Sequence, residues 1–163
     1  MKTDKLLKLL SVVESFSAEL YRHSTNVAVL SAFLGRAISF SEEETLVTVA
    51  AALLHDLGKA KLDKNIIFKP GPLTESEFQM IKKHPSLAVE MIKDDPSLSQ
   101  LCPIILYHHE RWDGKGYFGL EKENIPLPSR VLAIADSFDA MVSSRPYRKT
   151  LSQRQARKEI ARC

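Results

Sequence analysis

The chain has 163 residues, of which 44% are hydrophobic and 26% are charged, so its composition is that of a folded globular domain. Its formal net charge of +3 is too small to indicate binding of duplex nucleic acid. Cys102 and Cys163 form neither a CxxC metal motif nor a disulfide framework, and we expect a reducing, cytoplasmic environment. No apolar run approaches the roughly 18 residues that a membrane span requires, and no signal peptide is recognised.

Helical periodicity dominates the first third of the chain. Apolar residues recur at helical spacing over residues 6–13 and again over 20–34, with a break expected near 15–17. The leucines of the first run are expected to pack on the core or on another subunit of a homodimer. Ser41 and Glu44 form a capping box that opens a further helix, which is predicted to run toward His55 and Asp56 and to stop at Gly58.

Turn and capping signals divide the rest of the chain. A turn is predicted at residues 69–72, and Thr74 with Glu77 opens a helix that ends before residue 84. Helices are predicted to about residue 93, from about 101 to 109, from Pro128 to 142, and from Ser152 onward. Residues 110–127 are rich in glycine and predict a long functional loop. The prediction is one all-α domain of about seven helices over residues 1–163.

Histidines and acids at positions without surface character are the candidate functional residues. Glu19 and His23 are four residues apart on a predicted helix and therefore share a face. Asp136 follows an apolar run, residues 131–135, that is expected to be fully buried, where an unpaired carboxylate would be costly. The candidates exceed what one ion can use, so we expect two or three ions. The candidate ligands are Glu19, His23, His55, Asp56, His84, His108, His109 and Asp136.

Imidazole and carboxylate ligands without thiolate suit iron, manganese, nickel or zinc. Asp56 can bridge two ions while His55 binds one of them, and a water bridged by the ions is acidic enough to be hydroxide near neutral pH. Ions about 3.5–4 Å apart also neutralise phosphate oxygens during in-line displacement, which indicates hydrolysis of phosphodiesters. Ordinary structural roles remain open for single members, such as a charged helix terminus at His55 or a buried salt bridge at Asp136.

Several motifs, in order, resemble the HD phosphohydrolase superfamily and its HD-GYP subgroup. Residues 55–59 read His-Asp-Leu-Gly-Lys, which matches the superfamily signature. Residues 108–117 read His-His-Glu-Arg-Trp-Asp-Gly-Lys-Gly-Tyr, which resembles the stretch that defines the subgroup. Residues 69–74, 136–140 and 145–148 match the subgroup as well. The resemblance covers roughly residues 15–160 of the chain.

HD-GYP proteins are bacterial phosphodiesterases that open cyclic di-GMP to linear pGpG, and some continue to GMP. The resemblance implies that the candidate ligands hold two or three ions, with iron or manganese favoured and Asp56 bridging. Glu19 with His23 matches members that hold a third ion. Asp56 and Lys59 are the implied catalytic residues, with Lys59 on the scissile phosphate. The other implied substrate contacts are Tyr117, Arg145, Arg148 and Lys149.

The chain departs from the subgroup at Phe118, where the subgroup name implies proline. Because proline fixes φ, we expect the loop to be looser or differently placed here, which would affect the contacts with signalling partner proteins that the family makes through it. The family domain usually continues past the helix at Ser152, so a C-terminal truncation is expected. Two alternative functions stay open: an HD hydrolase of another nucleotide or cyclic dinucleotide, and a catalytically silent cyclic di-GMP receptor.

Overall fold

The computed structural model describes residues 3–143 and 150–162. Helices and turns account for the regular structure, and no strand occurs in these two stretches, so the all-α prediction is confirmed. The α-helices are α1 (Thr3–Phe16), α2 (Ala18–Ala37), α3 (Glu42–Leu54), α4 (Lys64–Ile67), α5 (Glu75–Ile81), α6 (His84–Ile92), α7 (Cys102–Leu106), α8 (Leu127–Val142) and α9 (Gln153–Ile160). Short 3-10 helices cover Leu57–Lys61, Ser99–Leu101 and Lys122–Asn124.

Side-chain caps decide where several helices begin. Ser17 separates α1 from α2 and accepts a hydrogen bond from the backbone N–H of Leu20, which confirms the predicted break. Pro128 lies in the first turn of α8, as expected. Reciprocal capping boxes open three helices, pairing Ser41 with Glu44 at α3, Thr74 with Glu77 at α5, and Ser152 with Gln155 at α9.

The core lies where α2 packs along α3 and α8. Ala50, Ala51 and Ala52 on α3 are buried, and their small side chains permit close approach of the neighbouring helices. Leu6 and Val13 are buried in the same core, so α1 packs on the domain itself. The homodimer stays a prediction. Among the described residues, no helix combines the length and the apolar character needed to cross a membrane.

Three local predictions were wrong. The helix α3 ends at Leu54, and Gly58 lies beyond it in a 3-10 helix. The helix α7 ends at Leu106, so His108 and His109 follow it in a turn. The apolar run before Asp136 is not fully buried, because α8 presents one face to solvent and leaves Ile134 42% exposed.

Candidate metal centre

Side chains from five segments converge at one point of the core. α2 contributes His23, the end of α3 contributes His55 and Asp56, α6 contributes its first residue, the turn after α7 contributes two histidines, and α8 contributes Asp136. All of the predicted ligands except Glu19 meet in three overlapping groups whose ligand atoms lie within 4.8 Å of one another. The groups are His84, His108 and His109; His23, His55 and Asp136; and His55, Asp56 and His108.

Three of these histidines are oriented in the same way. The Nδ1 atoms of His55, His84 and His108 lie 2.6–2.7 Å from the backbone carbonyl oxygen of the residue three positions earlier. Because a carbonyl oxygen only accepts, each Nδ1 carries the proton and each Nε2 presents a lone pair. The Nε2 atoms of His84 and His108 then lie 3.4 Å apart with no proton between them.

Unsatisfied acceptors identify what the centre requires. The Nε2 atom of His55 and the Oδ1 atom of Asp56 are buried and make no hydrogen bond. The Nε2 atom of His84 lies 3.2 Å from Asp56 Oδ1, but by the orientation above it is an acceptor too. Buried acceptors without donors are costly, and a cation relieves them all at once. The residues present therefore fit divalent metal ions.

His23 is held between two carboxylates of α8. Its Nδ1 atom lies 2.6 Å from Asp139 Oδ2, and its Nε2 atom lies 3.0 Å from Asp136 Oδ1. Burial acts to lower the pKa of His23, but the hydrogen bonds to Asp136 and Asp139 outweigh it and raise the pKa to about 9. In the metal-free protein a proton thus occupies the space between His23 and Asp136.

Asp139 was missed as a site residue. It is buried, and it also accepts hydrogen bonds from Asn26 Nδ2 at 2.9 Å and from Ser143 Oγ at 2.7 Å. A signal was present in the sequence, because Asp139 follows Asp136 by three residues and therefore shares its face of α8. A carboxylate that orients a ligand histidine is a regular part of metal sites.

His108 and His109 are held in the neutral form that metal binding requires. Burial, together with the neighbouring imidazoles, keeps the pKa of His108 well below its usual range. Burial also lowers the pKa of His109 to about 3, against the opposing charge of Asp136. Neutral imidazoles bind metal ions without first losing a proton.

Lys59 reaches the centre from the 3-10 helix that follows α3. Its Nζ atom lies 2.6 Å from Asp56 Oδ2. Burial alone would raise the pKa of Asp56, but the ammonium group of Lys59 holds it well below the usual range. Gly58 permits this arrangement, because a Cβ atom there would overlap the backbone carbonyl oxygen of His84.

Tyr117 lies at the rim of the centre. Its ring centroid is 4.5 Å from that of His109, and burial with the charges of Asp56 and Asp136 raises its pKa to about 12. Two residues that sequence reasoning missed complete this rim. The Phe78 ring meets Tyr117 edge-on at 6.2 Å, and Lys82 Nζ lies 5.0 Å from the centre of the Tyr117 ring.

Comparison with known proteins shows which family the chain belongs to. The family model described as "HD domain" matches residues 8–162. The chain belongs to the HD domain family. This HD domain is 38% identical over 160 residues to a cyclic di-GMP phosphodiesterase of Thermotoga maritima, covering 96% of this chain and 44% of that protein. It is 37% identical to 3'3'-cGAMP-specific phosphodiesterase 1 of Vibrio cholerae, covering 87% of this chain and 33% of that protein.

The fold comparison agrees with the sequence comparison. Bd1817, an HDG"Y"P protein from Bdellovibrio bacteriovorus, superposes with a TM-score of 0.72 at 21% identity, covering 86% of this chain and 45% of that one. The solved structure supports the fold, and the family model with the cyclic di-GMP phosphodiesterase relatives confirms the recognised family. Membership of the family implies that this HD domain binds divalent metal ions. The chain spans less than half the length of these relatives.

One predicted ligand is not brought to the centre, and three predicted substrate residues are not described by the structure. Glu19 lies exposed on α2, one turn before His23, and is in none of the three groups. Its role in a third metal site stays a prediction. Arg145, Arg148 and Lys149 lie outside the described residues.

Proposed function

We propose that this HD domain hydrolyses cyclic di-GMP to linear pGpG, with GMP as the product of a second cut. One observation carries the proposal. Buried imidazoles turn their lone pairs toward the buried carboxylate of Asp56 and the half-buried carboxylate of Asp136, in a domain 38% identical to a cyclic di-GMP phosphodiesterase. The cytoplasmic location and signalling partner proteins stay predictions beside it.

The centre would hold two or three divalent transition-metal ions, for which iron and manganese are favoured and nickel and zinc are the alternatives. When bound, such ions acidify water and offset the negative charge that develops on the phosphate. Two of the three ligand groups share His55, and they contain Asp136 in one case and Asp56 in the other. Asp56 is proposed as the bridging ligand. Glu19 with His23 would complete a third site.

The residues around the centre would bind and orient the substrate. Lys59 would donate to a non-bridging oxygen of the scissile phosphate, since its side chain is 22% exposed and its Nζ atom already lies at Asp56. Tyr117 would stack on a guanine at the rim beside His109. Arg145, Arg148 and Lys149 would bind the phosphates, the arginines as forks and the lysine as a point charge.

The test is turnover by protein loaded anaerobically with iron or manganese. We expect cyclic di-GMP to be converted to pGpG, followed by chromatography, and expect Asp56→Ala to abolish conversion while the helical circular dichroism is retained. Asp94→Ala is the matched control, because Asp94 is an exposed acid away from the three groups. Absence of turnover in well-folded, metal-loaded protein would refute the proposal.

The number of ions is tested by elemental analysis. Three ions per chain are expected, falling to two in Glu19→Gln, because that change removes a charged oxygen ligand. Glu43→Gln, which changes an exposed acid at the start of α3, should leave the count at three. A count of two in both the unchanged protein and Glu19→Gln would remove Glu19 from the ligand set.

A second candidate substrate is another cyclic dinucleotide. It is favoured by the 37% identity to the cGAMP-specific enzyme, which is nearly as high as the 38% identity to the cyclic di-GMP enzyme. A higher kcat/KM for 3'3'-cGAMP than for cyclic di-GMP would select this candidate. Tight binding of cyclic di-GMP without turnover by any metal form would select the silent receptor.

A further inference from the structure

Residues 111–122 form a compact loop between the histidine pair and α8. The N–H of Lys122 donates to the carbonyl oxygen of Trp112 at 3.2 Å and closes the neck of the loop. The N–H of Gly114 donates to the carbonyl oxygen of Arg111 at 2.9 Å and forms a turn inside it. A loop whose ends meet in this way is an Ω-type loop, and this one carries Tyr117 to the rim of the metal centre.

Glu110 lies under this loop with its carboxylate buried. The side chain is 5% exposed, and nothing in the proposed function uses it. Its Oε1 atom accepts from the N–H of Phe118 at 2.7 Å, and its Oε2 atom accepts from the N–H of Leu120. A carboxylate that accepts with both oxygens makes two charge-assisted hydrogen bonds to the loop backbone.

Gly116 shows how closely the loop lies on Glu110. A Cβ atom at Gly116 would be 2.5 Å from Glu110 Cα and 2.6 Å from Oε1, so no side chain fits there. Tyr117 therefore stands between two residues that both contact Glu110. Glu110 therefore contacts the loop backbone on both sides of Tyr117.

Phe118 gives this contact a feature that proline would not have. Proline has no backbone N–H and could not donate to Glu110 Oε1. The Phe118 ring also packs edge-on against Tyr107, with the ring centroids 5.8 Å apart. In this chain a hydrogen bond to a buried carboxylate thus takes the place of the fixed φ of proline at the same position.

We propose that Glu110 is a positioning residue that holds Tyr117 against His109 through the N–H groups of Phe118 and Leu120. Glu110 is in none of the three groups of candidate metal ligands. Its effect on the loop is independent of the reaction, whereas its effect on turnover rests on the proposed function.

The loop itself supplies the first readout. Trp112 is the only tryptophan of the chain and lies in the loop, 45% exposed. Acrylamide quenching of its fluorescence in metal-free protein reports how well the loop is ordered. The second readout is KM against kcat in metal-loaded protein, with the metal content measured for each variant.

Four variants in two backgrounds isolate the hydrogen bond. Phe118→Ala removes the ring and keeps the N–H, whereas Phe118→Pro removes both. Glu110→Gln is then made in each of these two backgrounds, because the amide oxygen replaces only one of the two acceptors. A double-mutant cycle of this kind separates a direct coupling from two independent effects.

We expect Glu110→Gln in the Phe118→Ala background to increase quenching of Trp112 and to raise KM roughly tenfold, as loss of a hydrogen bond to a charged group implies. We expect kcat to change less than KM and the metal content to stay constant. In the Phe118→Pro background the same change should have a clearly smaller effect. Acrylamide should quench Trp112 fluorescence more strongly in Phe118→Pro alone than in Phe118→Ala alone.

Three results would overturn the proposal. Equal effects of Glu110→Gln in the two backgrounds would show that the Phe118 N–H carries no coupling. Equal quenching of Trp112 fluorescence in Phe118→Pro and Phe118→Ala would also show that the Phe118 N–H does not order the loop. This comparison does not require Glu110→Gln to fold. A lowered melting temperature with unchanged quenching and KM would leave Glu110 a purely structural role. If no cyclic dinucleotide is turned over, the proposed function fails, and the quenching cycle still decides the role of Glu110.

Discussion

The Nε2 atoms of His84 and His108 face each other at 3.4 Å, while both Nδ1 atoms donate to backbone carbonyl oxygens. Two acceptor lone pairs at this separation repel each other unless a cation lies between them. A metal ion bound between them would remove this repulsion, so we expect the metal-free protein to be measurably less stable than the loaded one.

Metal loading should raise the melting temperature. An ion present at 100 times its Kd stabilises the folded state by about 2.7 kcal/mol, and roughly 2–4 °C per kcal/mol is typical of a chain of this size. We expect manganese or iron to shift the thermal transition by roughly 5–10 °C. Calcium is the control, because imidazole ligands do not suit it. Equal shifts with calcium and manganese would contradict a histidine-based site.

Asp139→Asn should weaken metal binding without removing a ligand. The change takes away the charge that holds His23 Nδ1 at 2.6 Å, and changes of this kind typically cost roughly 10–100-fold in metal affinity. Titration with manganese measures the effect. Asn26→Ala is the matched control, since it removes another partner of Asp139 and leaves His23 in place. Similar affinities in both variants would show that Asp139 does not orient His23.

Gly58→Ala should destabilise the domain and disturb His84. The added methyl group would overlap the His84 carbonyl oxygen and lie 2.7 Å from Ala88 N, both of which belong to the backbone of α6 and cannot rotate away. Overpacking typically costs about 1–3 kcal/mol, which urea unfolding measures. Gly35→Ala is the control, because its methyl group meets only the Phe40 side chain, at 2.9 Å. Equal losses in the two variants would argue against a special close approach at Gly58.

Lys69 and Glu77 should give the stability a defined dependence on pH. Lys69 Nζ donates to both carboxylate oxygens of Glu77, and this pairing, followed by the Thr74 N–H, lowers the pKa of Glu77 from 4.5 to about 2. A depressed pKa contributes stability above pH 4.5 that is lost as the pH falls from about 4.5 to about 2.

Lys69→Met should therefore lower the melting temperature at pH 7, with the difference from the unchanged protein shrinking as the pH falls below about 4.5. Thermal unfolding between pH 3 and 7 measures this. Lys83→Met removes an exposed positive charge nearby in sequence and should show no such trend. A difference that stays constant across this range would mean that the pair does not account for the loss.

Local signals in the sequence predicted the helices well, and their failures share one cause. Capping boxes depend on residues three apart, so Ser41 with Glu44 places the start of α3 without knowledge of the rest of the chain. The end of α7 at Leu106 has no such local marker, and it is decided by where His108 and His109 meet the other ligands. The exposure of Ile134 could not be predicted from the local sequence either, because burial of a helix face depends on which helices pack against it.

The sequence by itself determined the chemistry of the site, because imidazole and carboxylate groups in this set of motifs already select divalent transition metals. Only the tertiary structure decided which groups meet. His23 and Asp139 are 116 residues apart, and no periodicity or spacing brings such a pair together. Glu110 likewise reads as an ordinary loop acid until Phe118 and Leu120 fold over it. Contacts of this kind form only when distant segments pack, since the free energy that selects them comes from burial shared by the whole core.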